Sequence, residues 1–359
     1  MALKNRIVAC NTPSSETVSL LLPVLNESER LAACLESLIA QPAEVREILV
    51  IDGGSRDGTQ SIIASFAKRD SRVRLVDASP VDPQWTGKVW GLYCGLNASD
   101  PQSAWILCVD ADVRAAPNLI RSLLHHARLT GISAFSVATA QRLSGSIDAL
   151  LHPAMLTTLI YRFGSPGRAT RNIHRVQGNG QCFISGREVL ARSDAFRAAR
   201  RSLCEDITIV RRLAECGEAV GFYESDNLVA VQMYSDWRET WKNWPRSLPM
   251  RDQYFGWREA LDLLLLVPAQ ALPLPLLIFG LIVGAPLWFT CVTGLLFTIR
   301  VGVLFGAARA YPERPWTYWL SPLCDLPVVL RIIQSALMRR HTWRGRTYLR
   351  RKGGTFEPV

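Results

Sequence analysis

Two aspartates, Asp110 and Asp112, end the apolar run WILCV as an Asp-x-Asp step, VDAD over residues 109–112. Carboxylates this close together resist burial unless they find a cationic partner. A divalent cation shared with a ligand's diphosphate would supply one, since magnesium uses one or two carboxylates together with phosphate oxygens. A solitary Asp-x-Asp also fits a solvated strand end, so the rest of the acidic pattern matters. Glu27 closes PVLNE, Asp52 closes the strand in VIDGGSRDGT, and Glu205-Asp206 stands directly before ITIVRRLAECG. Acids in a first helical turn are already favoured by the helix dipole, so the last pair has an ordinary explanation as well. Lys88, in WTGKVW, sits at a Gly-Lys step where a helix begins and a cation can reach a phosphate. The glycines of VQGNGQCFISGREVL (176–190) allow close approach of backbone to a ligand.

The elements that must position these groups follow from hydrophobic period. VSLLLPV, EILVID, RVRLVD and WILCV read as strands, the first, second and fourth built on nearly continuous apolar runs. Between them, ERLAACLESLIA sets Leu31, Cys34, Leu35, Leu38 and Ile39 on one helical face behind a Ser28 cap, and a second helix turns Ile62, Ile63 and Phe66 inward. Continuous apolar strands alternating with helices predict an α/β fold with a mainly parallel sheet covered on both faces. Ligands of such sheets bind beyond the carboxyl ends of the strands, where Asp52, Asp110 and Asp112 fall. DGGSRDG is neither a G-x-G-x-x-G fingerprint nor a P-loop, which disfavours a classical dinucleotide fold and leaves a nucleotide site.

The remainder of the 359-residue chain is different in character. Mean hydropathy is +0.10 and net charge +10, with apolar residues concentrated beyond 260 and basic ones in RRHTWRGRTYLRRK. Segments 261–284 and 286–308 are each long enough to span a bilayer; the first is kinked by Pro268, Pro273 and Pro275, and the second must turn Arg300 inward or let it snorkel. Segment 317–338 is interrupted by Pro322, Asp325, Pro327 and Arg331 and reads as interfacial or re-entrant, giving two full spans with three as the alternative. Segment 147–164 is apolar but broken by Asp148, His152, Pro153 and Arg162, and fits a helix lying at the membrane surface. Basic residues beyond 308 and 338 mark the cytoplasmic side and a multi-pass protein of the cell membrane with its N-terminal domain in the cytoplasm. No module for nucleic acid accompanies the charge. Nine scattered cysteines without a C-x-x-C pair predict neither a disulfide framework nor a zinc site. The expected organisation is an N-terminal tail (1–17), a catalytic domain (18–250), a membrane region (260–338) and a basic tail (339–359).

PVLNE, the strand-end Asp52, the Asp-x-Asp and Glu205-Asp206, in this order and spacing, resemble the family-2 inverting glycosyltransferases of GT-A fold over roughly residues 18 to 250. PQWTGKVW, NWPRSL (243–248) and TWRGRTY (342–348) are similar to segments of relatives that glycosylate membrane lipids: carotenoid and hopanoid-associated enzymes and, more distantly, ceramide glucosyltransferases. The resemblance implies a hexosyltransferase using a nucleotide-sugar, most simply a UDP-sugar, with magnesium or manganese. It implies that Asp52 and Glu27 hold the nucleoside, Asp110 and Asp112 the metal, and Lys88 the diphosphate. Asp206 is then the general base, next to Glu205. The Q-x-x-R-W motif of processive and ceramide-type members is absent; Trp241, Trp244 and Arg246 occupy its zone, which argues against a processive polymerase. The implied acceptor is a membrane lipid, a carotenoid first, with hopanoid, ceramide or polyprenyl phosphate as alternatives.

Overall fold

A computed structural model describes residues 5–343, 346–351 and 353–358. Its first half alternates β1 (Arg6–Ile7), β2 (Val18–Val24), α1 (Ser28–Ile39), β3 (Val45–Asp52), α2 (Thr59–Arg69), β4 (Val73–Asp77), α3 (Gly87–Ala98), β5 (Trp105–Val109), β6 (Val113–Ala115), α4 (Leu119–Thr130) and β7 (Ala134–Ala138). There follow β8 (Ala140–Gln141), α5 (Asp148–Phe163), β9 (Arg168–Thr170), β10 (Cys182–Gly186), α6 (Arg187–Ser193), α7 (Ala195–Ala198), α8 (Glu205–Glu215), β11 (Val220–Ser225) and β12 (Val229–Val231). The last part holds α9 (Trp237–Asn243), α10 (Trp257–Leu266), α11 (Pro273–Val283), α12 (Leu287–Ala307), α13 (Asp325–Leu337), β13 (Arg340–Trp343), β14 (Arg346–Arg350) and β15 (Phe356–Pro358).

The chain divides into two units, each made of segments that are separate in sequence. The first unit comprises the chain up to Thr139, Pro166–Val231 and the segment after Trp343; the second comprises Ala140–Ser165 and Gln232–Trp343. In the first unit one sheet runs β1-β11-β7-β10-β5-β2-β3-β4, with β9 beside β11. The pairs β5–β2, β2–β3, β3–β4, β7–β11 and β1–β11 are parallel. β10 lies antiparallel between β5 and β7, with Cys182 opposite Val109, and β9 runs antiparallel to β11. Leu20, Leu21, Leu22, Ile48, Leu49, Val50, Ile106 and Leu107 are fully buried, as strands covered on both faces require. Helix α3 lies tight on this layer because Gly95 has no side chain; a methyl there would come within 2.8 Å of Ile51 Cδ1.

Several local expectations shift. Helix α1 begins at Ser28, but its cap is Glu27, whose carbonyl accepts the N–H of Arg30 and Leu31. The segment read as an N-terminal tail contributes β1, paired with Glu224 and Ser225 at the sheet edge. Part of the segment read as a basic tail is the β14–β15 hairpin of the first unit, with Tyr348 and Phe356 buried. Residues 1–4, 352 and 359 of the two tails, and Arg344 and Gly345 of TWRGRTY, lie outside the described residues.

The second unit is built on α5, which is not a surface helix. Ala154, Met155, Thr157 and Thr158 are completely buried, and Leu151, Ala154 and Met155 join Leu263, Leu266, Val328, Val329 and Ile332 in one core. Its polar residues, which argued for a surface position, are internally satisfied instead. His152 Nδ1 lies 2.8 Å from the Tyr311 hydroxyl, Thr240 donates to Asp148 at 2.8 Å, and Arg162 donates to the Leu248 carbonyl at 2.6 Å.

Two helical stretches, Leu287–Ala310 and Trp316–Leu337, are long and apolar enough to cross a membrane. The first matches the expected 286–308 segment. The second falls on 317–338, read from sequence as interfacial. The expected 261–284 span is instead a pair, Trp257–Ala271 and Pro273–Val283, bent by 41°. Its prolines cluster at that bend, where a π turn occupies Val267–Ala271. Arg300 does turn inward: Nε meets Asp325 Oδ2 at 2.7 Å and Nη2 meets Oδ1 at 3.0 Å, while Gln270 donates to the same carboxylate at 2.8 Å. Asp325 and Arg331, which broke the apolar pattern, thus differ: one is a buried counter-ion, the other pairs with Gln334 on the exposed side.

Candidate active site

One pocket of the first unit collects Asp110, Lys88, Glu205 and Asp206 with Asn179 and Gly180. Strand β5 supplies its floor by ending at Val109, and the next residue is Asp110. Because β10 runs antiparallel to β5, its leading loop, Gln177 to Gln181, arrives at that same end. Helix α8 turns Ile207, Val210 and Leu213 into the core, so its first turn, Glu205-Asp206, meets the loop. Gly178 is required there, since a methyl would lie 2.9 Å from the Asp206 carbonyl and 3.0 Å from Val210 Cγ2. The loop is pinned on its other side: Asn179 N–H donates to Ser136 at 3.1 Å, and its amide donates to the Val137 carbonyl at 3.2 Å.

Lys88 ties the acidic groups together. Its Nζ lies 2.7 Å from Asp110 Oδ1 and 2.7 Å from Glu205 Oε1. Burial disfavours its ammonium, but the two carboxylates outweigh that and hold Lys88 well above its ordinary value. Asp206 accepts N–H bonds from Ile207 at 2.8 Å and Gly180 at 3.4 Å. Burial, with the Glu205 charge beside it, pushes Asp206 up to about 7; Lys88 and the two N–H groups act the other way. Burial also lifts Asp112 to about 7, with Asp110 adding to the shift. These two acids are the strongly perturbed carboxylates of the strand-end cluster, a pattern that marks functional sites.

The donor set suits a hard divalent cation. Asp112 Oδ1 is buried and accepts no hydrogen bond, an orphaned oxygen that a cation would satisfy. No cluster of three or more His, Cys, Asp or Glu side chains among the described residues encloses an ion alone. Magnesium or manganese held by Asp110 and Asp112 would therefore complete its coordination with ligand phosphate and water.

The loops after β2 and β3 are cross-tied. Asn26 N–H donates to Ser55 at 2.9 Å, Arg56 N–H to Asn26 Oδ1 at 2.9 Å, Glu27 N–H to Thr59 at 3.0 Å and Ser28 N–H to Asp57 at 3.0 Å. Asp52 is fully buried and spent on this turn, accepting from Ser55 N–H at 3.0 Å, Ser55 Oγ at 2.5 Å and Gln60 Nε2 at 2.6 Å. Asp52, expected at the nucleoside, thus shapes the loop that would meet one. Glu27 likewise enters as cap and loop tie.

Trp241, Trp244 and Arg246 belong to the second unit. Trp244 is 8% exposed and lies against His152, ring centroids 4.2 Å apart. Of the three residues in the Q-x-x-R-W zone, Trp244 thus packs into the core of the second unit. Trp241 is partly buried against the same core, and Arg246 closes a short 3-10 turn from Trp244. Asn179 and Gly180 were not singled out as site residues, although the Gly-rich loop containing them was legible.

Comparisons with known proteins bear on the family and the fold. The sequence model of Glycosyl transferase family 2 matches residues 19–207, more than half of the chain. The glycosyltransferase GlyG of Streptococcus pneumoniae is 28% identical over 109 residues, 30% of this chain and 34% of that protein. The chain spans about a third of the length of the first curated relatives it matches. The 4,4'-diaponeurosporenoate glycosyltransferase of Staphylococcus aureus is 23% identical over 226 residues, 62% of this chain and 57% of that one. Among solved structures, the mannosyltransferase PcManGT of Pyrobaculum calidifontis, in complex with GDP-Man and Mn2+, aligns with a TM-score of 0.54 at 16% identity, covering 89% of this chain and 86% of that one. The fold is the GT-A fold, and the chain belongs to glycosyl transferase family 2.

Proposed function

We propose that this protein transfers a hexose from a nucleotide-sugar to a hydroxyl of a membrane lipid, a carotenoid first among the candidates, with inversion at the anomeric carbon. The observation that carries the reading is the single pocket holding Asp110, Lys88 and Glu205 within ion-pair distance, with Asp206 beside them. Magnesium or manganese, when held by Asp110 and Asp112, supplies positive charge to the departing diphosphate. Asp206 accepts the proton of the acceptor hydroxyl as its oxygen bonds to the anomeric carbon and the bond to the diphosphate breaks. The Ile207 and Gly180 N–H groups orient that carboxylate and leave lone pairs for the acceptor. Lys88 fixes Asp110 against Glu205, so that metal ligand and base keep their spacing. Asp52, Glu27 and Asn26 set the loops on which a nucleoside would rest.

A lipid acceptor accounts for a water-soluble donor site tied to apolar helices, because such a reaction must run at the bilayer surface. Similarity to a carotenoid glycosyltransferase favours that acceptor class. The test is mass spectrometry of lipid extracts from carotenoid-producing cells expressing the intact chain or Asp206→Asn. A hexosylated carotenoid present only with the intact chain supports the proposal. Hexosylated hopanoid, ceramide or polyprenyl phosphate moves the acceptor within lipids, and no lipid product in any host rejects a lipid acceptor.

A further inference from the structure

The pocket's lysine is not free to meet a diphosphate, since Asp110 and Glu205 already share its ammonium. A second cation, from the far end of the sequence, lies against Gly87, the residue before Lys88. Arg346, on β14, brings Nη1 to 3.2 Å from where a methyl on Gly87 would stand, so its guanidinium rests against the residue preceding Lys88. Arg346 is half-buried, and its guanidinium makes no hydrogen bond or ion pair among the described residues. Such a guanidinium keeps its planar set of donors for an incoming anion.

The hairpin is anchored where this matters. Phe356 N–H donates to the Arg201 carbonyl at 2.8 Å, and Glu357 pairs with Arg201 at 3.3 Å and with Arg351 at 2.7 Å. The Arg200–Ser202 loop also holds the residue before Gly87: Thr86 N–H donates to the Arg200 carbonyl at 2.7 Å and its hydroxyl to the Ser202 carbonyl at 3.1 Å. From there the chain runs directly into Glu205. One loop thus fixes the Gly-Lys step, the acidic pair and the hairpin that presents Arg346.

We propose that Arg346 binds the diphosphate of the donor, supplying the cation that Lys88 cannot. The assignment rests on the glycosyl-transfer reading above and adds a residue that is remote in sequence. A guanidinium offers paired N–H donors matched to phosphate oxygens, which an ammonium does not.

The test is calorimetric titration of the full-length chain in detergent with UDP and with GDP, each with Mn2+, for wild type, Arg346→Gln and Arg346→Lys, alongside unliganded thermal unfolding. The expected result is that Arg346→Gln weakens the preferred diphosphate about tenfold or more, that Arg346→Lys recovers part of the loss, and that the unliganded midpoint stays at the wild-type value. Undiminished affinity in Arg346→Gln overturns the assignment while leaving the glycosyl-transfer reading intact. A loss accompanied by a lowered unliganded midpoint in both variants makes Arg346 structural and also overturns it. A wild-type chain that binds neither diphosphate overturns both readings together, a distinct outcome.

Discussion

A carboxylate raised to about 7 is a usable base only when ionised, so Asp206 sets a direction for pH dependence. Transfer should fall as pH drops through about 7, because the protonated acid cannot accept the acceptor's proton. The same shift means that a proton on Asp206 stabilises the unliganded fold; that contribution is full below the ordinary carboxylate value and is lost as pH rises through about 7. Asp206→Asn should lower kcat by about 10²–10⁴-fold with donor binding retained, measured by turnover and by titration with donor. Loss of both together would make Asp206 a binding or folding residue. The acid itself was legible, since Glu205-Asp206 precedes an amphipathic helix at family spacing. Its burial was not, because the Gly178–Gly180 backbone that closes on it is brought there by the way the loop folds back. Asp52 shows the converse: the strand-end acid is plain in sequence, whereas its engagement by Ser55 and Gln60 depends on the turn.

At the scale of elements, the antiparallel strand β10 matters most, since it delivers the Gln177–Gln181 loop to the end of β5. Gly178→Ala should push the loop from the first turn of α8, costing on the order of 1–3 kcal/mol by overpacking and lowering turnover more than donor affinity; thermal unfolding and steady-state kinetics check it. Hydrophobic period revealed β2, β3, β5 and α8 because their patterns are local. The reversed direction of β10 leaves no such mark, and neither does the burial of α5, whose Asp148, His152 and Arg162 resemble breaks until Thr240, Tyr311 and the Leu248 carbonyl answer them. The Arg300–Asp325 pair allows a sharper test, as both side chains are nearly fully buried. Arg300→Leu alone should destabilise by about 3–5 kcal/mol by stranding the carboxylate, and adding Asp325→Leu should recover much of the loss in detergent unfolding. If the double variant is no better than the single one, the pair is not coupled as the contacts indicate.

At the scale of the molecule, the units are interleaved in sequence. Residues 140–165 and 232–343 form one, and the segments on either side form the other. Composition identified the apolar half but not this order, because nothing in a run of leucines says which body its flanking residues join. The hairpin at Arg346–Pro358 carries the largest consequence. It belongs to the same body as the strands up to Val231, with helices α9 to α13 in between. A polypeptide that leaves a folded body on one face of a bilayer and rejoins it there must have traversed the bilayer an even number of times. If the body that holds both segments stays on one side of a bilayer, any pass made by the 287–310 helix needs a returning partner. With the native cysteines replaced, cysteines introduced singly at Ala285 and at Glu313 and probed with an impermeant thiol reagent, against one at Arg350, locate the far turn: Ala285 alone opposite Arg350 marks passes by 257–283 and 287–310, Glu313 alone opposite marks passes by 287–310 and 316–337, and both on the side of Arg350 mean that the 287–310 helix makes no pass.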